Sequence, residues 1–147
     1  MKKVSFDPGT LHTIIEKMRP KVEKMKFGER CVGIVVDEIS LQPKREYDSS
    51  TGTFFGHPTI NAPKKTVEER EKRGESRLDR LAKHAQSVMV VGLSTRWKQL
   101  IGYHFTDSSF DQDDMHEWFL QLIRALQSIG LRVFSLTMDM GPGNKGL

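Results

Sequence analysis

The segment Cys31–Ile39, with the sequence CVGIVVDEI, constrains the fold of this chain more strongly than any other stretch. It begins as an almost continuous β-branched apolar run, which is typical of a strand buried on both faces, whereas a half-exposed strand would alternate. Two carboxylates, Asp37 and Glu38, follow the run. An ionised carboxylate at the end of a buried strand is costly unless a cation compensates it. Asp37 is therefore either a metal ligand or a solvated residue that caps a turn, and this segment alone favours the turn.

The bulk composition limits the classes of protein that need to be considered. The chain has 147 residues, of which 37% are hydrophobic and 29% charged, and this suits one globular domain. Its net charge of +4 permits a nucleic-acid partner without requiring one. The single cysteine, Cys31, excludes an internal disulfide, and neither it nor the histidines have zinc spacing. The longest apolar stretch, at 88–93, is too short to span a bilayer, so no membrane partner is expected.

Hydrophobic period and turn residues predict an α/β chain, in which an N-terminal helix precedes the order strand, strand, strand, helix, strand. The N-terminal helix is expected over 7–27, with Asp7 as its N-cap and a kink or break at Pro20. The second helix is expected to run from a cap at Ser108 or Ser109 to about Ser128. The four predicted strands cover 31–39, 86–94, 99–105 and 131–138.

The segment between the first two strands is less regular. Turn residues dominate 43–63, which predicts a loop with a short extended piece at 53–55. Residues 64–83 are highly charged and carry few apolar side chains, so they form either a solvated helix or a disordered insertion. Their composition favours disorder for 64–76. Trp97, in the turn after the second strand, either contacts a nucleic-acid backbone or packs at the hairpin end, and packing is favoured.

A second carboxylate, Asp139, follows the last predicted strand. If that strand lies beside the first and parallel to it, with the long helix as a right-handed crossover, then Asp37 and Asp139 end neighbouring strands. Two close carboxylates repel each other unless a cation lies between them. Mg²⁺ is usually held by one or two carboxylates and phosphate oxygens, and paired metal ions support phosphodiester chemistry. This order therefore predicts a metal site at Asp37 and Asp139; the alternative is two separate solvated strand ends.

Three runs carry a resemblance to a known family: VVDEISLQPKREYDSSTGTFFGHP, VMVVGLSTRWKQLIGYHF and GLRVFSLTMDMGPGNKGL. In this order they resemble the ribonuclease-H-like catalytic domain of P-element-type transposases, including their THAP-domain relatives. The resemblance divides the chain into an N-terminal helical segment, 1–29, and a partial ribonuclease-H-like domain, 30–147, with a charged insertion at about 64–83. The expected fold is a mixed sheet truncated after its fourth strand, with that strand at an exposed edge.

The resemblance also implies a function. It implies metal-dependent DNA cleavage and strand transfer in the nucleus, with DNA at transposon ends as partner and a possible homo-oligomer. Asp37 and Asp139 correspond to the two aspartates that bind Mg²⁺ or Mn²⁺ in the family. The family's third acidic ligand and its GTP-binding insertion lie beyond the second aspartate, so neither is expected here. We therefore expect a chain inactive by itself; the alternative is a domesticated or decayed, non-catalytic DNA-binding or interaction module.

The sequence DMGPGN, at 139–144, leaves two further interpretations open. Its glycines favour a turn in which backbone N–H groups face an anion, but the Lys and Ser/Thr of a phosphate-binding loop are lacking. The alternative is a flexible, glycine-rich segment.

Overall fold

A computed structural model describes residues 7–76 and 79–139 of the chain. DMGPGN after Asp139 lies outside these residues, so neither interpretation of it is addressed. The strands in chain order are β1 (Gly9–Thr10), β2 (Cys31–Ser40), β3 (Glu46–Asp48), β4 (Thr53–Phe55), β5 (His84–Gly92), β6 (Lys98–Thr106) and β7 (Arg132–Met138). The helices are α1 (His12–Glu23), α2 (Lys64–Lys72) and α3 (Gln112–Ser128), and a 3₁₀ turn spans Phe27–Arg30.

Five strands form one mixed sheet in the order β1-β6-β5-β2-β7. β2 pairs antiparallel with β5, and β5 pairs antiparallel with β6. On its other side β2 pairs with β7 in parallel, and α3 connects β6 to β7. The predicted α/β order and the mixed sheet are therefore confirmed, and β7 is an edge strand within the described residues.

The core lies between one face of the sheet and the helices α1 and α3. Alternate residues of β2 point to this face, and Val32, Ile34 and Val36 are at most 3% exposed. They pack in one cluster with Ile15 of α1 and Leu122 of α3. The opposite face of β2 is less covered, because Cys31 and Val35 are only half-buried. The prediction of burial on both faces is thus wrong for that second face.

The two long helices begin later than predicted. The chain first forms β1, which pairs with β6 and takes up residues assigned to the helix, so α1 starts at His12 rather than at Asp7. The helix continues through Pro20 as one element. The N-cap of α3 is Asp111, whose carboxylate accepts hydrogen bonds from the backbone N–H groups of Asp113 and Asp114. Neither predicted serine cap is used, because an Asp side chain satisfies these orphan donors.

The segment between β2 and β5 contains a hairpin and a helix. β3 and β4 form a hairpin that includes the predicted extended piece at 53–55. Residues 64–72 form α2, so the disorder predicted for 64–76 is wrong over that range. A buried ion pair explains the order, since Arg70 Nη1 lies 2.6 Å from Asp107 Oδ2 at the end of β6. No helix among the described residues is both long and apolar enough to span a bilayer.

Candidate metal site at the ends of β2 and β7

The parallel pair β2 and β7 brings Asp37 and Asp139 to neighbouring positions. The last paired residues of the two strands are Val36 and Met138, and each aspartate is the next residue in its chain. Both aspartates are exposed. Because neighbouring strands lie about 4.8 Å apart, two residues at matching positions can direct their side chains into a shared volume.

The pleat separates Asp37 from the residue that follows it. Val36 and Glu38 point to the helix-covered face of β2, so Asp37 points to the opposite face. Asp139, one step beyond Met138, occupies the matching position beside it. Glu38 therefore points away from this pair, to the other face of β2.

Glu38 belongs to a second polar cluster that the sequence did not predict. Gln86 of β5 is fully buried and its Nε2 donates a hydrogen bond to Glu38 Oε2 at 3.2 Å. His84 Nδ1 lies 3.5 Å from Glu38 Oε1. The antiparallel register of β2 and β5 pairs Glu38 with Gln86. The cluster could have been predicted only from a correct prediction of this register. It holds the backbone of β2 against β5 directly beside Asp37.

The donor set at Asp37 and Asp139 fits a divalent cation that prefers oxygen. Carboxylate oxygens from two adjacent strands are the kind of protein ligand by which Mg²⁺ is held, with water and phosphate oxygens completing its shell. Within residues 7–76 and 79–139, no group of three or more His, Cys, Asp or Glu side chains could hold a metal ion. The candidate site therefore consists of two carboxylates.

Two further polar groups, the buried Asp107 and the half-buried His104, lie at the end of β6. Burial acts to raise the pKa of Asp107, but hydrogen bonds from Arg70, Lys83 and the Ser108 backbone outweigh it, so this pKa is lowered. Burial lowers the pKa of His104 to about 4, so its imidazole is neutral at pH 7. Its Nδ1 lies 2.9 Å from Thr59 Oγ1, and its ring packs on Trp118. The contacts of these two groups connect the end of β6 to α2, to α3 and to the loop before α2.

Comparisons with known proteins place the chain in context. The sequence profile of a family described as "TNP-like, RNase H N-terminal domain" matches residues 6–147. A solved structure, the Drosophila P element transposase strand transfer complex, superposes with a TM-score of 0.66 at 21% sequence identity. The match covers 97% of this chain and 25% of that chain, so this chain spans a quarter of its length. At this identity the likeness shows a shared fold, and together with the family match it confirms the predicted ribonuclease-H-like fold. No curated protein matches the chain in sequence.

Proposed function

The chain belongs to the TNP-like, RNase H N-terminal domain family, and from this membership we propose that it is part of a DNA transposase. In this proposal Asp37 and Asp139 hold a divalent cation, Mg²⁺ or Mn²⁺, that serves DNA cleavage and strand transfer. The observation that carries it is the register of β2 and β7, in which the two aspartates follow the paired residues Val36 and Met138.

The role of this chain's own residues is to position the two carboxylates. β2 is fixed in the sheet by β5 on one side and β7 on the other, so Asp37 and Asp139 stand on backbone that is held by neighbouring strands. A divalent cation, when bound there, would polarise a phosphodiester and lower the pKa of a coordinated water. The carboxylates would anchor it, while DNA phosphates and water would fill the remaining positions.

Two carboxylates leave much of the cation's shell to water and substrate. We therefore propose that the 147-residue chain binds the cation weakly and does not cleave DNA by itself. The third acidic ligand implied by the transposase resemblance would tighten the site. DNA at transposon ends as the substrate, a homo-oligomeric assembly and action in the nucleus are parts of the same proposal.

Titration with Mn²⁺ tests the metal site directly. We expect wild type to bind Mn²⁺, measured by the loss of the free-ion electron paramagnetic resonance signal. Asp37→Asn and Asp139→Asn should each weaken binding by on the order of tenfold or more, since each removes one of two anionic ligands. The neutral side chains are nearly isosteric, so thermal unfolding without metal should be unchanged.

Glu68→Gln provides the matched control, because it removes an exposed carboxylate on α2, which belongs to neither β2 nor β7. Its Mn²⁺ binding should equal that of wild type. Equal, negligible binding by wild type and by Asp139→Asn would remove the metal site from the proposal.

A second candidate function is a non-catalytic DNA-binding module that keeps the sheet without the chemistry. One observation favours it: a group of basic side chains lies at the opposite end of the sheet from the aspartates, around Trp97. Retention of DNA binding by a chain that binds no Mn²⁺ would select this second function.

A further inference from the structure

A basic groove lies between α1 and the turn that joins β5 to β6. It has a volume of about 430 Å³ and is lined by Ile14, Lys17, Met18, Lys21, Trp97, Lys98 and Gln99. Three lysines line it and no carboxylate does. We propose that this groove binds the phosphate backbone of double-stranded DNA, as a contact surface separate from Asp37 and Asp139. The choice of DNA as the anion rests on the proposed function.

The groove lies far from the aspartates along β2. The turn that carries Trp97 follows Gly92, which pairs with Val32 at the start of β2, whereas Asp37 pairs with Ser87. At about 3.3 Å per residue, these two positions on β2 are roughly 17 Å apart. The groove and the candidate metal site are therefore two separate sites, formed by different side chains.

Among the residues that the structure describes, no carboxylate pairs with the lysines of the groove. Lys17, Lys21 and Lys98 are exposed, and none of them forms an ion pair within the described residues. Lys17 and Lys21 are four residues apart on α1 and so lie on one face of the helix, where like charges repel. This small cost to the helix is characteristic of a surface kept for binding rather than for stability.

The excess of positive charge on α1 is confined to the face that carries Lys17 and Lys21. On the neighbouring face, Glu16 and Arg19 pair at 2.9 Å, so charge there is balanced within the chain. The spacing of Lys17 and Lys21, with no acidic residue three or four positions from either, is visible in the sequence. What the sequence could not provide is the position of Lys98 and Trp97 across the groove.

The floor of the groove favours a phosphate over a base or a bilayer. Trp97 packs over Gly92, where an added Cβ would lie 2.5 Å from the indole Nε1. The Lys21 ammonium covers the Trp97 ring at 5.0 Å from its centroid, so the ring is not open for base stacking. Met18 is only 8% exposed and Ile14 is half-buried, so the two aliphatic side chains that line the groove offer little apolar surface for insertion into a bilayer.

The test is the salt dependence of DNA binding without divalent metal. Binding of the full chain to a short, fluorescently labelled DNA duplex is measured by anisotropy over a series of salt concentrations, with a chelator present. Lys17→Gln/Lys21→Gln should bind on the order of tenfold more weakly at low salt. The slope of log K against log salt should become shallower by about 2, since each phosphate contact contributes about 0.9.

Lys65→Gln/Lys72→Gln is the matched control, because it removes two exposed lysines from α2, where acidic residues are interleaved. It changes net charge equally and should leave the slope close to that of wild type. Lys98→Gln tests the groove from the strand side, without altering α1, and should make the slope shallower by about 1.

Three results would overturn the proposal: an unchanged slope in Lys17→Gln/Lys21→Gln, an equal loss in the α2 control, or binding to phosphatidylserine vesicles with none to the duplex. Asp139→Asn separates this proposal from the metal site, because it should weaken Mn²⁺ binding and keep the wild-type salt slope. Loss of the slope in the lysine variant with normal Mn²⁺ binding would support the groove alone.

Discussion

His104 is neutral in the folded protein because burial lowers the pKa of its imidazole from 6.5 to about 4. The ring packs edge-on against Trp118 of α3, and its Nδ1 lies beside the hydroxyl of Thr59. A charged imidazole at this position would lose hydration that the unfolded chain restores. The contacts of this one neutral side chain thus connect β6, α3 and the loop before α2.

This burial predicts a pH-dependent stability. The folded-state pKa of His104 lies below its unfolded value, so the unfolded chain binds the proton more tightly. The contribution of His104 to the free energy of unfolding is complete above about pH 6.5 and is lost as the pH falls toward 4. We expect a loss of on the order of 1–2 kcal/mol across this range, reduced by partial solvent exposure of the ring.

Urea unfolding of wild type and His104→Asn at several pH values checks this expectation. The variant keeps a polar group near Thr59 but has no ionisable ring, so its stability should fall less between pH 6.5 and 4. Parallel pH profiles for the two proteins would show that His104 does not titrate in this way.

At the scale of single residues, the sequence predicted Asp37 and Asp139 because each ends an apolar run. Their adjacency was predicted on the condition that the last strand lies beside the first and parallel to it, and the register of β2 and β7 meets that condition. Sequence could not predict the roles of Gln86 and Asp107, since the partners of both are distant along the chain. Burial of a polar side chain follows from such partners and carries no local signal.

At the scale of elements, α2 is attached to the sheet by one buried ion pair. Asp107 is 6% exposed, and its side chain accepts hydrogen bonds from Arg70 of α2 and from the backbone N–H of Ser108. Lys83 Nζ lies 3.0 Å from its other oxygen. α2 itself has no buried residue, so its order depends on this contact more than on apolar packing.

Asp107→Asn should therefore detach α2. The substitution leaves the largely buried Arg70 without its carboxylate, and we expect a loss of about 2–4 kcal/mol in the free energy of unfolding. Limited proteolysis should show faster cleavage within 64–76 than in wild type, and urea unfolding should give the lower midpoint.

Glu75→Gln is the control for this ion-pair effect, because Glu75 and Arg73 are both well exposed and 3.9 Å apart. Its effect should be within about 0.5 kcal/mol. Unchanged proteolysis of α2 in Asp107→Asn would mean that the ion pair does not hold the helix.

The sequence predicted best those elements in which the spacing of apolar residues follows the buried face. Strand β2 and the end of α3 at Ser128 agree with the prediction. The start of α1 and the presence of α2 did not follow from the sequence, since both depend on contacts outside the element. β1 takes residues from the expected helix by pairing with β6, and α2 is ordered through Asp107. A local pattern cannot report such tertiary partners.

At the scale of the whole molecule, one glycine sets the distance between the sheet and the layer that covers it. Gly102 of β6 faces β1 on one side and α3 on the other. An added Cβ would lie 2.9 Å from the backbone oxygen of Gly9 and 2.9 Å from the Trp118 ring. Real Cβ atoms do not approach this closely, so β1 or α3 would have to move.

Gly102→Ala should thus lower the free energy of unfolding by about 1–3 kcal/mol, as overpacking of a core does. Gly28→Ala makes the same chemical change where nothing lies within 4 Å, and its stability should be close to that of wild type. Thermal unfolding of both variants measures the difference. Similar melting temperatures for the two variants would contradict the prediction, because they would mean that β1 and α3 can move to accept a Cβ at Gly102 without loss of stability.

The parallel pairing of β2 with β7 also has a consequence for how the chain reaches its native state. The two strands are joined across about a hundred residues, so their pairing closes a long loop at a considerable entropic cost. Contacts of such large sequence separation slow folding. We therefore expect Asp37 and Asp139 to become neighbours late in folding, so that a cation shared between them would report completed folding.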